Sequence, residues 1–386
     1  MDKRQVYLNN AAGSFPSAPG VVEAVVRSMQ EPPYSQGRGA FGTGVNALEE
    51  CRRRVGLLLE AKNEEIVLCS GATAALNMAI LGLGLRPGDL VITSVMEHNS
   101  VLRPLARLEK ILPLRLEYIP LDAEGNLDLR VYEKLLREKP RLVALTGGSN
   151  VTGRINPVKV FFEKAKNAGA FTLLDAGQTA GHISLHPASL YTDMAAFSGY
   201  KGLAGPQGTG ILSVASPVKL EPVFTGGTGV QSDNPFQPEE MPLRLEAGTP
   251  GTAGFAGLNE AVKYFMENEN QIIQKENENT RALVEGLSSI KRIKILDNFF
   301  TADRQERLPV VSFIIEGLSV EEAGFMLTEG FGIQCRTGLH CAPLLHKALG
   351  YSDGSIRFSP SYMTPMEDIN YALEAVRSIV HETDKS

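Results

Sequence analysis

The chain has 386 residues, of which 43% are hydrophobic and 21% charged, with a formal net charge of −6. This is too long for one small core and has the make-up of an ordinary soluble globular chain, large enough for two domains or one large α/β unit with an appendage. No block of Lys/Arg stands out, which argues against nucleic acid or an anionic membrane as a partner.

The N-terminus, "MDKRQVYLNNAAG", lacks the apolar core of a secretory signal, and the most apolar segment, "AALNMAILGLGL", is short of a membrane span and carries Asn77. Four cysteines with no C-x-x-C pair argue against a disulfide framework or a zinc site, so no metal is expected. A reducing, cytoplasmic setting follows as the expectation.

Seven short apolar runs lie between residues 66 and 214: "IVLCS", "LVITSV", "RLEYIP", "LVALTG", "FTLLDAG", "MAAFSG" and "GILSV". Several are separated by segments of helical period. That alternation predicts an α/β fold, a seven-stranded mostly parallel sheet sandwiched by helices. Ligands of such sheets gather where strands end, and here those ends are polar: Ser70-Gly71, Glu97-His98, Ser149-Asn150, Asp175, Ser198 and Lys201.

After residue 250 the pattern changes. A helical period continues through the charged stretch "ENENQIIQKENENTRALVEGL", and "LPVVSFIIEG", "FGIQCRTG" and "SIRFSPSY" read as three strands of a smaller α+β domain. The expected division is an N-terminal segment, 1–15, packing with the small domain; a large domain, 16–254; and a small C-terminal domain, 255–386. A helix near residue 255 marks the boundary.

The strand ends carry chemistry. Gly71 turns the chain into a helix starting near Ala72-Thr73, whose free N–H groups and positive end suit a phosphate, although a Ser or Thr there is more commonly a cap. Asp175 follows four apolar residues and needs a cationic or N–H partner. It reads either as a cap for the next helix or as the partner of a protonated ring nitrogen, with Gln178 a turn further on. His98 reads either as structural or as a flat ring beside a planar cofactor. Lys201 is boxed in by small residues in "FSGYKGLAGPQGTG". A partly desolvated lysine amine becomes a nucleophile toward aldehydes. A Schiff-base lysine, a carboxylate for a pyridinium and a phosphate cup together describe pyridoxal 5′-phosphate binding.

From "VYLNNAAG" to "SIRFSPSYMTP" the chain resembles the class V aminotransferases, within the fold type I pyridoxal-phosphate enzymes. Inside that family it is similar to the cysteine desulfurase and selenocysteine lyase branch with the short active-site loop. The resemblance implies that Lys201 in Ser198-Gly199-Tyr200-Lys201 carries the cofactor, and that Ala72, Thr73 and Ser198 hold its phosphate. It implies further that Asp175 pairs the ring nitrogen, Gln178 the ring oxygen, and that His98 stacks on the ring and shuttles protons. Asn150 matches an asparagine near substrate and cofactor. Thr249 in "LEAGTPGT" matches a threonine that reaches the partner's phosphate across a homodimer, and Arg357 matches the arginine that binds the substrate α-carboxylate.

In "CRTGLHCAP", Cys341 falls on the branch's nucleophilic cysteine. Arg336, His340 and the Gly338 turn would surround it with donors and positive charge, which favour thiolate, and Arg336 joins the substrate-binding set. Cys335, Cys51 and Cys69 read as packing. Two residues depart from the family pattern: Phe41 in "GRGAF" stands where a histidine is expected, and Tyr200 precedes the lysine in place of the commoner histidine. The resemblance implies L-cysteine as substrate, L-alanine as product and a persulfide on Cys341, with a sulfur-acceptor protein as partner. A selenocysteine lyase taking L-selenocysteine, and a transaminase or epimerase in which Cys341 is incidental, are the alternatives. A non-catalytic protein that merely retains the cofactor is set aside by the intact Lys201, Asp175 and Arg357 set.

Overall fold

The computed structural model describes residues 4–32, 46–297 and 307–383. Phe41, the first departure noted above, lies outside them. A two-residue strand, β1 (Val6–Tyr7), opens the chain, followed by seven strands: β2 (Ile66–Cys69), β3 (Leu90–Ser94), β4 (Arg115–Ile119), β5 (Leu142–Thr146), β6 (Phe171–Asp175), β7 (Met194–Ser198) and β8 (Gly210–Val214). They form one sheet in the order β2-β8-β7-β6-β5-β3-β4. β8 pairs antiparallel with both β2 and β7, while the other pairings are parallel. All seven apolar runs of the sequence are therefore strands of a single sheet.

Side chains alternate across that sheet with the two-residue period of a strand. Ile66, Leu68, Ile92, Val143, Leu145, Leu174, Ala195 and Phe197 enter one core. Val67, Val91, Leu142, Ala144, Leu173, Met194 and Ala196 enter the other. Both faces are apolar because helices cover both, which is why the strands read as continuous hydrophobic runs.

A helix of 37 residues, Thr252–Ser288, packs its first turns into the core on one face of the large sheet through Phe255, Leu258, Val262 and Phe265. Its far end contributes Leu283, Val284 and Leu287 to a third core. That core belongs to a four-stranded antiparallel sheet made of β9 (Ile293–Ile295), β10 (Val311–Ile315), β12 (Arg336–Gly338) and β13 (Ser355–Phe358), in the order β12-β13-β10-β9. The run "FGIQCRTG", read as one strand, is split at Cys335. Its first half, β11 (Ile333–Gln334), pairs parallel with β1, and its second half is β12. β9 was not anticipated.

The N-terminal segment runs along this smaller unit: beyond the β1–β11 pairing, Asn10 Nδ2 donates to the Ser359 carbonyl at 2.9 Å. No helix among the described residues is long and apolar enough to cross a membrane.

Candidate active site

The polar ends of β2, β3, β5, β6 and β7 meet in one cleft. Its walls include Ala72, Thr73, His98, Asn150, Asp175, Gln178, Ser198, Lys201, Arg336 and Arg357, so ten residues named from the sequence are brought together. Cys341 is not among them, nor is Thr249. Thr249 is exposed, on a loop lining a separate surface hollow with Cys69, Ser70 and Phe224.

At the mouth of β2 the chain turns through Gly71, whose φ of 143° is open to glycine and costly for other residues. The helix Ala72–Gly82 begins with no side-chain cap, leaving its first N–H groups turned to the cleft end. Ser198, at the end of β7, accepts the Ala72 N–H on its Oγ at 3.0 Å. Gly210 faces Gly71 so closely that a Cβ there would lie 2.3 Å from the Gly71 Cα. The strand ends can approach as they do only because Gly210 lacks a side chain; a Cβ on Gly71 would meet nothing nearer than Ser198 Oγ at 3.7 Å, and its constraint is the backbone φ.

Thr73 connects to a residue that the sequence reading passed over. Its Oγ1 lies 2.7 Å from Ser100 Oγ, which lies 2.8 Å from His98 Nδ1. The Ser100 N–H donates to the same Nδ1 at 3.0 Å, so this nitrogen is an acceptor and the ring's proton sits on Nε2. Burial, then the positive charges of Lys201, Arg336, Arg357 and Arg103, push the imidazole down to about 4. His98 is therefore neutral at ordinary pH. In the sequence Ser100 looks like part of a helix start, and nothing local marks its reach to Thr73.

Asp175 ends β6 and is buried, with Oδ1 accepting the Gly177 N–H at 2.8 Å. Burial raises its carboxyl, while that N–H and the Lys201 charge pull the other way. Lys201 responds inversely. Its amine is pushed below the ordinary lysine range by burial, against the attraction of Asp175, and Arg357 and Arg336 lower it further. A Cβ on Gly177 would come within 2.9 Å of Asp175 Oδ1 and 3.8 Å of Lys201 Nζ, so this glycine keeps the floor between them open. Gln178 Nε2 donates to the Ala11 carbonyl at 3.0 Å, which brings the N-terminal segment, Ala11 and Ala12, into the wall.

Glu97 was noted from the sequence only as part of a polar strand end. It is fully buried, accepts from Ser94 Oγ at 2.6 Å on Oε1, and has no partner for Oε2. Burial pushes its carboxyl up to about 8, and the Asp175 charge adds to the rise.

The far wall comes from the smaller sheet. Arg357, on β13, is 1% exposed and is pushed down to about 9 by burial and then by Arg336. It donates to the Asn150 carbonyl at 3.0 Å and to Asn9 Oδ1 at 3.3 Å, and its Nε has no partner. Beside it, Arg336 Nη2 donates to Cys341 Sγ at 3.5 Å. His340 and Cys341 both have positive φ, 49° and 60°, a conformation that costs a non-glycine residue on the order of 1 kcal/mol. Two ties hold the turn: Asn150 Nδ2 donates to the His340 carbonyl at 2.6 Å, and the Asn99 N–H to the Cys341 carbonyl at 2.7 Å.

The expectation that His340 lends positive charge to Cys341 is corrected by this geometry. Its ring is buried, bonds Ser355 through Nε2, and is pushed down to about 2, chiefly by burial. The cation beside the sulfur is Arg336. Cys335, in contrast, packs against the third core, and burial drives its thiol up to about 12.

A family model described as "Aminotransferase class-V" matches residues 6–372. A protein of Methanothermobacter thermautotrophicus named "Probable cysteine desulfurase" is 34% identical, covering 97% of this chain and 94% of its own. A protein of Aeropyrum pernix with the same name is 32% identical, covering 98% and 95%. Among solved structures, the apo cysteine desulfurase of Thermococcus onnurineus NA1 superposes with a TM-score of 0.89 at 32% identity, covering 98% of this chain and 95% of that one. The Escherichia coli cysteine desulfurase CsdA, in an S-sulfonic acid form, gives 0.87 at 28% identity, covering 98% and 95%. Over nearly its whole length, this chain belongs to the class-V aminotransferase family.

Proposed function

We propose that the protein is a pyridoxal-phosphate-dependent cysteine desulfurase that converts L-cysteine to L-alanine and holds the sulfur on Cys341. The observation that carries this reading is that one arginine, Arg336, lines the cleft shared by Lys201 and Asp175 and also reaches Cys341 Sγ at 3.5 Å. Arg336 thereby links the cleft that holds the amine and the carboxylate to the thiol beside it.

The residues fit the cofactor. The uncapped helix start at Ala72, with Ser198 and Thr73 beside it, suits a phosphate dianion. Asp175 suits a protonated ring nitrogen, Gln178 the ring oxygen, and the neutral His98 a ring face. When bound, pyridoxal phosphate supplies an aldehyde for amines and a ring that accepts the electron pair released at the substrate Cα. Thr249, exposed on its own chain, is assigned to the partner's phosphate in a homodimer.

Each protein group then has a defined task. Arg357, with an unpartnered buried Nε, binds the substrate carboxylate in a planar fork, and Asn150 fixes that guanidinium through its carbonyl. The Lys201 amine, lowered by burial, is free of its proton at a cost well below that of an exposed lysine and takes the substrate's α-proton. Cys341 attacks the substrate's sulfur: the S–S bond forms, the C–S bond breaks, and its electron pair stays on Cβ, which takes up one proton, while Lys201 returns the proton it removed to Cα, giving alanine. His98 carries its proton on Nε2 and is assigned the proton-shuttle role.

The test is incubation with L-cysteine followed by mass analysis of the Cys341 peptide. One added sulfur atom, with L-alanine released, is expected. Amino transfer to an oxo acid with no sulfur on Cys341 would refute the reading.

A further inference from the structure

The turn that presents Cys341 has a third tie, and its direction is set by chemistry. His346, in the helix Pro343–Leu349, places Nδ1 3.1 Å from the Ala342 carbonyl oxygen. A carbonyl only accepts, so this Nδ1 carries the ring's proton and Nε2 is bare. The partner of that Nε2 is Ser355 Oγ, at 3.1 Å. Ser355 has one proton to give, and it goes to His346. Its oxygen therefore accepts from His340 Nε2–H, 3.0 Å away on the other side. His340 is left with a bare Nδ1, the atom that has no partner.

Water does not compete for these bonds: His340 is 2% exposed, and His346 and Ser355 are 0%. Burial lowers both imidazoles, so both stay neutral and each keeps one donor and one acceptor nitrogen. Ser355 is itself fixed. It sits opposite Gly338 in the β12–β13 pairing, and a Cβ on neighbouring Gly354 would lie 2.4 Å from the Gly338 carbonyl carbon. The chain His340–Ser355–His346 thus joins a rigid sheet end to two consecutive residues in a left-handed turn.

We propose that Ser355 and His346 are positioning residues for Cys341, locking the His340 ring and so holding the turn that sets the sulfur beside Arg336. The assignment rests on the reading of Cys341 as the sulfur acceptor, but its test uses neither substrate nor cofactor. An unpartnered His340 would leave the turn with its two main-chain ties alone, and local opening would expose the thiol.

In the full-length chain labelled with 15N-histidine, His346 is expected as the Nδ1–H tautomer and His340 as the Nε2–H tautomer. In parallel, iodoacetamide labelling of Cys341 is followed by peptide mass. Ser355→Ala and His346→Leu are expected to speed it about fivefold or more, with Cys335 unchanged, because the turn opens more often. His346→Gln, whose Oε1 still accepts from Ser355, is expected to stay within about twofold of the wild type. Reversed tautomers, or equal labelling rates in all four proteins, would overturn the proposal. A wild-type chain that shows these rates yet never desulfurates cysteine would refute the functional reading and leave the latch standing.

Discussion

Ser198 Oγ accepts the Ala72 N–H at 3.0 Å, tying the last residue of β7 to the first residue of the helix that follows β2. The two strands are separated in the sheet by β8 alone, and the bond defines the end of the cleft where free helix N–H groups converge. Ser198→Ala removes a polar atom from both the cup and the strand-to-helix tie. Fluorescence titration with pyridoxal phosphate is expected to show about tenfold weaker binding, the loss of one charge-assisted hydrogen bond. Unchanged affinity would place the phosphate elsewhere.

Lys201 and Asp175 shift each other in opposite senses, and burial acts on both. Borohydride treatment of the cofactor-loaded protein is expected to fix the pyridoxyl group on the peptide containing Lys201, and Lys201→Ala to lose that adduct. Asp175→Asn is expected to keep the adduct while slowing exchange of the substrate α-proton with solvent by at least about a hundredfold, the lower range for losing a tuned acid–base partner. The same adduct in Lys201→Ala would refute the assignment.

Glu97 makes stability depend on pH in a known sense. Its carboxyl sits at about 8 in the folded chain, against 4.5 for an unperturbed glutamate. Between those values the folded chain holds a proton that the unfolded chain has released. The contribution is fully present below pH 4.5 and is lost as pH rises toward 8. Glu97→Gln cannot titrate. Its unfolding free energy in urea, relative to the wild type, is therefore expected to climb across this window, with a limiting slope of about 1.4 kcal/mol per pH unit. A difference independent of pH would show that Glu97 is ionised in the folded state.

The large sheet was legible in the sequence because its inner strands are covered on both faces and several of them end in Gly, Asp or Ser, so runs such as "FTLLDAG" announce both strand and site. The cleft residues at strand ends followed from the same logic. What was not legible depends on partners far along the chain. "FGIQCRTG" divides at Cys335 because its halves find different neighbours, β1 and β13, which no local period encodes. Ser100 looks like helix-start filler until Thr73 is placed 2.7 Å away. His340 looks like a cation beside Cys341, yet burial against Ser355 makes it neutral. Ala11 enters the wall through partners far along the chain: Gln178 donates to its carbonyl and Ser359 Oγ accepts its N–H.

The central claim is that Cys341, held beside Arg336, receives the substrate's sulfur. The most direct measurement is a single-turnover mixture of cofactor-loaded protein and L-cysteine, quenched by acid and read by mass on the Cys341 peptide, for the wild type and Cys341→Ser. The wild type is expected to gain one sulfur atom on Cys341 as L-alanine appears in equal amount. Cys341→Ser should retain the cofactor's absorbance, gain no sulfur and release no alanine from cysteine, while keeping part of any activity toward L-selenocysteine, whose weaker C–Se bond needs no protein nucleophile. Alanine release from L-cysteine by Cys341→Ser at the wild-type rate would contradict the account.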